Sequence, residues 1–361
     1  MRRITSLLLT LALCLSLLSG CGSKPQESAP ANTDTPANTD TPAQPDNSGA
    51  ASGEAEFTWV ASCANTEDHP AVQGVFKFAE LLEEKSGGRL HMDVFHSAQL
   101  ASDRDCIEGM QMNTIQSGIM VGSALAGFTD ELLVFDLPFL FESSEQGQLL
   151  CDSEVGKEML ASLDDIGIKG LGFMEYGMRN ITNSKRPINA PEDLKGIKIR
   201  TMENQIHMGA FSAMGADPTP MAFGELFTAL QQGTIDAQEN PLSVITSSKF
   251  NEVQTYLSVT EHVYSAAPLM VSKAAYDALP ADLQAIVDEA GMEACVWERD
   301  YLAEAETAWL DDLANAGMEI NYPEKAAFVE ATKGVYDQFV GDEAGKVSPE
   351  LLEKVYGIIG R

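Results

Sequence analysis

Basic residues are scarce in this chain. Its 361 residues include 23 lysines and arginines against 54 aspartates and glutamates, a formal net charge of −31. No basic cluster stands out, which argues against nucleic acid and anionic lipid surfaces as partners. A small anionic ligand is not excluded, because screening over about 8 Å leaves a cleft governed by its nearest cations. Beyond the first twenty residues no apolar run is long enough to cross a bilayer. The six cysteines form no CxxC pair, and the five histidines show no HExxH or other metal-ligand spacing. There is no GxSxG elbow, and the glycines of GIKGLG lack the order of a dinucleotide fingerprint. No metal, no cofactor and no enzymatic activity are therefore expected, a secreted hydrolase being the disfavoured case.

What is present begins with export. Arg2 and Arg3 precede an apolar stretch from Leu7 to Leu18, the pattern of a signal peptide over residues 1–20. Its end, LSGC, resembles the bacterial lipoprotein signal, which implies lipidation of Cys21 and a place on the outer face of the cell membrane. Residues 21–56 are polar, repeat ANTDTP in tandem, and read as a disordered tether. Random-coil statistics give such a tether a reach of roughly 30 to 35 Å. With Cys14 cleaved off and Cys21 lipidated, four cysteines remain: Cys63, Cys106, Cys151 and Cys295. Export permits disulfides, but four cysteines allow three connectivities that spacing cannot rank, and buried free thiols are favoured.

The folded part starts at Phe57. FTWVAS reads as a strand, HPAVQGVFKFAELLEEK as a helix stopped by Gly87 and Gly88, HMDVF as a strand, and SDRDCIEGMQMNTIQSGIM as a helix and a short strand. The alternation restarts with IKGLGFMEY (strand), APEDLKGIKIRTM (turn and strand) and FGELFTALQQGTIDAQEN (helix into strand), implying a second α/β lobe. Leu279 to Gly317 reads as one long helix or two abutting ones, able to bridge the lobes.

Arg179 follows the predicted IKGLGFMEY strand, and Arg200 ends the GIKIR strand. Two guanidinium groups at strand ends, where α/β sheets bind ligands, suit a carboxylate through bidentate hydrogen bonds; surface ion pairs are the competing explanation. Asn240, before Pro241, is either a ligand contact or a strand-end cap. His69, before Pro70, is either a cleft residue or a helix cap. His207 and His262 read as structural polar residues. Methionines cluster in RTMEN, HMGAFSAMG and PTPMAF; most belong to the core, and one or two are expected against the carbon skeleton of a ligand.

The block APEDLKGIKIRTMENQIHMGAFSAMGADPTPMAFGELFTALQQGTIDAQENP resembles the DctP-type solute-binding proteins of TRAP transporters, with weaker similarity in EKSGGRLHMDVFHSAQL. The resemblance implies an α/β, two-lobed periplasmic-binding-protein-like fold, a cleft between lobes and a long C-terminal bridging helix. Lobe I then covers 57–176 plus about 266–305, and lobe II 177–265 plus about 306–361. It also implies capture of an organic acid for a TRAP permease driven by an ion gradient. Arg200 is the implied carboxylate anchor, with Arg179 and Asn240 beside it, and Asn65, His69, Asp103 and Phe223 as further ligand contacts. A sugar acid such as a uronate is the favoured ligand, a C4-dicarboxylate or keto acid the alternative. An ABC-type binding protein would share the fold class, but the MGADPTPM and DAQENP blocks point away from it.

Overall fold

The computed structural model describes residues 55–341 and 345–361; Cys21 and most of the proposed tether lie outside them. From the N-terminus, β1 (Phe57–Cys63), α1 (Pro70–Ser86), β2 (Leu90–Phe95), α2 (Asp103–Gln111) and β3 (Ser117–Ile119) are followed by α3 (Ser144–Asp152), α4 (Glu154–Ser162) and β4 (Ile168–Asn183). Next come β5 (Lys198–Thr201), α5 (Gln205–Ala213), β6 (Asp217–Pro220), α6 (Phe223–Gln231), β7 (Ala237–Pro241), α7 (Leu242–Ser247) and β8 (Tyr256–Ser258). Then β9 (Tyr264–Ser272), α8 (Lys273–Asp277), α9 (Ala281–Asn315), β10 (Glu319–Asn321), α10 (Ala326–Phe339) and α11 (Pro349–Ile359) complete the order.

Helix α1 shows how local sequence builds these elements. Val72, Val75, Phe78 and Leu82 recur at helical spacing and all are buried. The His69 side chain accepts a hydrogen bond from the Ala71 amide at 3.2 Å, and Pro70 occupies the first turn, where its missing N–H costs nothing. The helix packs on α9 and over β2, and β1 and β2 run parallel because α1 crosses between them.

The strands lie in the order β2-β1-β3-β9-β4-β7-β5-β6, with β8 joining β4 and β10 joining β8. Two lobes share β4. Its first part, Ile168 to Met178, pairs antiparallel with β9; its last part, Arg179 to Asn183, pairs with β7, and Ile181 to Asn183 also with β8. The register shifts between Glu175 and Gly177, and Gly177 has φ 100°, a conformation that suits glycine. This bulge lets one strand serve both sheets. It also corrects a sequence expectation: the IKGLGFMEY strand does not stop before Arg179 but continues through it, so Arg179 lies inside β4 and not in a loop.

Helix α9 is a single helix of 35 residues. It leaves β9 of the first sheet and delivers β10 to the second, which is a bridging course. Close packing on β4 needs Gly291, where an added Cβ would stand 2.8 Å from the Leu171 side chain. Cys63, Cys106, Cys151 and Cys295 are buried free thiols, and burial pushes the Cys106 thiol up to about 12. Among the described residues no helix is long and apolar enough to cross a membrane.

Candidate functional site

Strand β5 runs parallel to β6 and β7, so its C-terminal end opens toward the loops that lead into α5 and α6. Arg200 sits there, 3% exposed, opposite Thr219 of β6 and Gln238 of β7. Its Nε donates to the carbonyl of Met221 at 2.9 Å, and its Cζ lies 6.0 Å from the Phe223 ring centroid. Among the described residues no carboxylate lies within ion-pair distance and no protein acceptor meets its two terminal nitrogens. Burial pulls its pKa down to about 10, opposed mainly by Glu239. A buried arginine whose two terminal nitrogens lack acceptors retains donors that an anion could satisfy.

A cavity of about 340 Å³ adjoins this group. Its walls come from both lobes: Ala64, Asp103, Arg104 and the Ser123–Phe128 segment on one side, Arg200, Met202, Glu203, Met221, Phe223 and Glu225 on the other. Asp103, at the first turn of α2, is pushed up to about 6 by burial, while Arg200 pulls it the other way. Arg104 stands over Phe128, 5.1 Å from Cζ to the ring centroid, and pairs with Glu108 at 3.1 Å.

The structure thus brings Arg200, Asp103 and Phe223 together. The other expected residues are not among its lining residues. Arg179 is fully buried and held by Glu239: Nε to Oε2 at 2.5 Å and Nη2 to Oε1 at 2.9 Å, with further bonds to the Glu239 carbonyl, Asn240 Oδ1 and Ser265 Oγ. Asn240 accepts from Arg179 at 3.0 Å and donates to Gln238 Oε1 at 2.5 Å. Asn65 accepts from the Tyr176 hydroxyl at 2.9 Å. His69 packs on Tyr176 with ring centroids 4.4 Å apart; its Nδ1 caps α1, its Nε2 has no partner among the described residues, and burial lowers its pKa to about 3.

Behind Arg200 runs a buried ionic chain. Asp136, ending the short 3-10 helix Leu133–Asp136, meets His207 Nε2 at 3.0 Å, and His207 Nδ1 lies 3.5 Å from Glu239 Oε1. His262 Nε2 approaches Glu239 Oε2 at 3.0 Å. Burial lowers the His207 pKa, but its bonds to Asp136 and Glu239 outweigh burial and leave it at about 9. Burial raises Glu239, yet the Arg179 charge and the two histidines hold it well below the usual carboxylate range. His207 and His262 are buried, bonded within the protein and not among the lining residues of the cavity.

Sequence reading missed Arg104, Ser123, Phe128, Glu203 and Glu225 in the lining. Arg104 and Glu203 had a usable signal, since each is within three residues of an expected contact. Phe128 had none, because only the β3–α3 connection carries it to the cleft. Met202 and Met221 also line the cavity.

Two lobes meeting at a cavity with an acceptor-poor buried arginine define a ligand-capturing binding protein. The chain belongs to the bacterial extracellular solute-binding proteins of family 7, the DctP family, whose pattern matches residues 61–342; its members serve TRAP transporters. It is 37% identical over 268 residues, 74% of this chain and 82% of the relative, to the 2,3-diketo-L-gulonate-binding periplasmic protein YiaO of Escherichia coli. A TRAP periplasmic solute-binding protein of Bordetella bronchiseptica, solved with density assigned to pantoate, superposes with TM-score 0.79 at 38% identity, covering 83% of this chain and 98% of that one. One from a Sulfitobacter species with bound β-D-galacturonate gives TM-score 0.79 at 32% identity, covering 84% and 100%. Members of the family act outside the cytoplasm as transport binding proteins that present small organic acids to a membrane permease.

Proposed function

We propose that this chain captures a sugar acid, a uronate or an aldonate, and hands it to a TRAP permease without catalysis. Arg200 anchors the carboxylate. The observation that carries this reading is the Arg200 guanidinium, buried in a cavity wall with a single protein acceptor. A bound carboxylate supplies the missing acceptors in bidentate geometry.

The cavity's charges favour a hydroxylated monocarboxylate. Two cations, Arg104 and Arg200, face three acids, Asp103, Glu203 and Glu225, a balance of −1. One ligand carboxylate is accommodated by Arg200, and hydroxyl groups give the acids hydrogen bonds to accept. A second ligand carboxylate would meet like charge in a partly desolvated site. The Sulfitobacter protein's galacturonate supports the same class. Phe223 packs against the ligand's carbon skeleton together with Met202 and Met221. Arg179 and Asn240, one strand or two from Arg200, hold the floor of the site; Asn65 and His69 hold the facing wall.

In this reading the lobes divide where β4 passes its bulge, near residue 177, and again near 265, with α9 spanning both. Closure of the lobes traps the ligand, and lipidated Cys21 keeps the protein at the outer face of the membrane. The test is a thermal-shift and calorimetric screen of D-galacturonate, D-glucuronate, L-galactonate, succinate, malate and pyruvate, with Arg200→Ala beside wild type. Ligand at a hundred times its Kd stabilises by about 2.7 kcal/mol. Preference for succinate over every sugar acid, or equal response of the variant, overturns the proposal.

A further inference from the structure

Ser123 lines the ligand cavity and is 4% exposed. Its hydroxyl donates to Oδ1 of Asp136, a carboxylate that is itself 1% exposed and not among the residues lining the cavity. That carboxylate is surrounded by donors. Asn204 Nδ2 donates to Oδ2 at 2.7 Å, and its amide cannot be turned over, because Asn204 Oδ1 already caps α5 by accepting from the Ile206 amide at 2.9 Å and the His207 amide at 3.2 Å. His207 Nε2 meets Oδ1 at 3.0 Å, while its Nδ1 lies 3.5 Å from Glu239 Oε1 without a hydrogen bond; with a carboxylate at Nε2, the tautomer that donates there is the one the site accommodates. Asn204 and His207 thus meet Asp136 beside Ser123, and among the described residues no group accepts from its oxygens.

A hydroxyl has one proton and two lone pairs. With its proton committed to a buried carboxylate, Ser123 has only lone pairs for anything in the cavity. We propose that Asp136 and His207 make Ser123 an obligate hydrogen-bond acceptor and thereby a specificity residue that requires a ligand hydroxyl at its position and disfavours a carbonyl, a carboxylate oxygen or a bare methylene there. Ser123 touches the ligand; Asp136 and His207 are positioning residues that act through it. The inference rests on the sugar-acid reading for which hydroxyl-bearing class is bound, but the acceptor character of Ser123 follows from the hydrogen-bond pattern alone. Buried ionic partners make this polarity durable: the serine proton is not free to rotate toward a ligand without leaving Asp136 one donor short.

The experiment is isothermal titration of wild type, Ser123→Ala and Asp136→Asn with D-galacturonate, each of its monodeoxy analogues, malate and succinate. Wild type should lose about tenfold in affinity for one particular monodeoxy analogue, the strength of a single hydrogen bond to a polarised acceptor. Ser123→Ala should collapse that one ratio toward unity and leave the ratios at the other positions intact. In Asp136→Asn the same ratio should shrink, since the serine proton is no longer held by a charge. Loss of affinity spread equally over all analogues, or ratios identical to wild type in Ser123→Ala, overturns the inference even if Asp136→Asn proves too unstable to titrate. Should no sugar acid bind wild type, the sugar-acid reading fails; the inference is then decided by whether a wild-type preference for malate over succinate exists and disappears in Ser123→Ala.

Discussion

Arg179 and Arg200 lie on one sheet, both buried, and replacing each by methionine should have opposite consequences. Arg200 has one protein acceptor, and burial brings its pKa down to about 10. A guanidinium lowered that far loses on the order of 3 kcal/mol of folding stability. The sign follows from linkage: a base with a depressed folded pKa is penalised in full wherever it is protonated in both states, hence at all pH values below about 10. Arg200→Met therefore removes a cost, and the ligand-free variant should melt at or above the wild-type temperature while losing ligand-induced stabilisation. Arg179 is the reverse case, since its removal leaves Glu239 buried without its bidentate partner. Breaking a buried pair in this way costs about 3 to 5 kcal/mol. At roughly 2 °C per kcal/mol for a domain of this size, Arg179→Met should melt some 6 to 10 °C below wild type. Differential scanning calorimetry without ligand measures both. If Arg200→Met falls as far as Arg179→Met, the unpaired state of Arg200 is refuted, and with it the argument that the site waits for an anion.

The buried His207 gives a pH signature. Its folded pKa of about 9 lies above the unfolded value near 6.5, so its stabilisation is complete below about 6.5 and is lost as pH rises through 9. Melting temperatures recorded from pH 7 to 10 should fall more steeply in wild type than in His207→Gln; parallel profiles would exclude this role. At the bulge of β4, Gly177→Ala meets only ordinary van der Waals contacts, the nearest atoms to an added Cβ being 3.7 and 3.8 Å away, so its cost is that of the backbone conformation, about 1 to 2 kcal/mol. The urea midpoint should drop accordingly, and an unchanged midpoint would show that the pivot does not need a left-handed residue.

Local pattern alone marked the elements. Val72, Val75, Phe78 and Leu82 announce α1 by their spacing, and the run from Leu279 to Gly317 announces α9, because helical periodicity and the lack of interior breakers are properties of neighbouring residues. Arg200 was equally legible: a turn, a short apolar run and a cation place it at a strand end, and the strand indeed ends one residue later. The fate of Arg179 was not. Its partner Glu239 lies 60 residues away and reaches it only because β7 pairs with the far half of β4, a pairing that depends on the bulge at Gly177. That Asp136 and His207, 71 residues apart, pair with each other is not marked in the sequence. By itself, then, the sequence determined which segments fold, where one cation is presented and what class of protein results. Tertiary structure alone decided which arginine is left without a partner, because ion pairing inside a protein is settled by distance across the sheet and not by order along the chain.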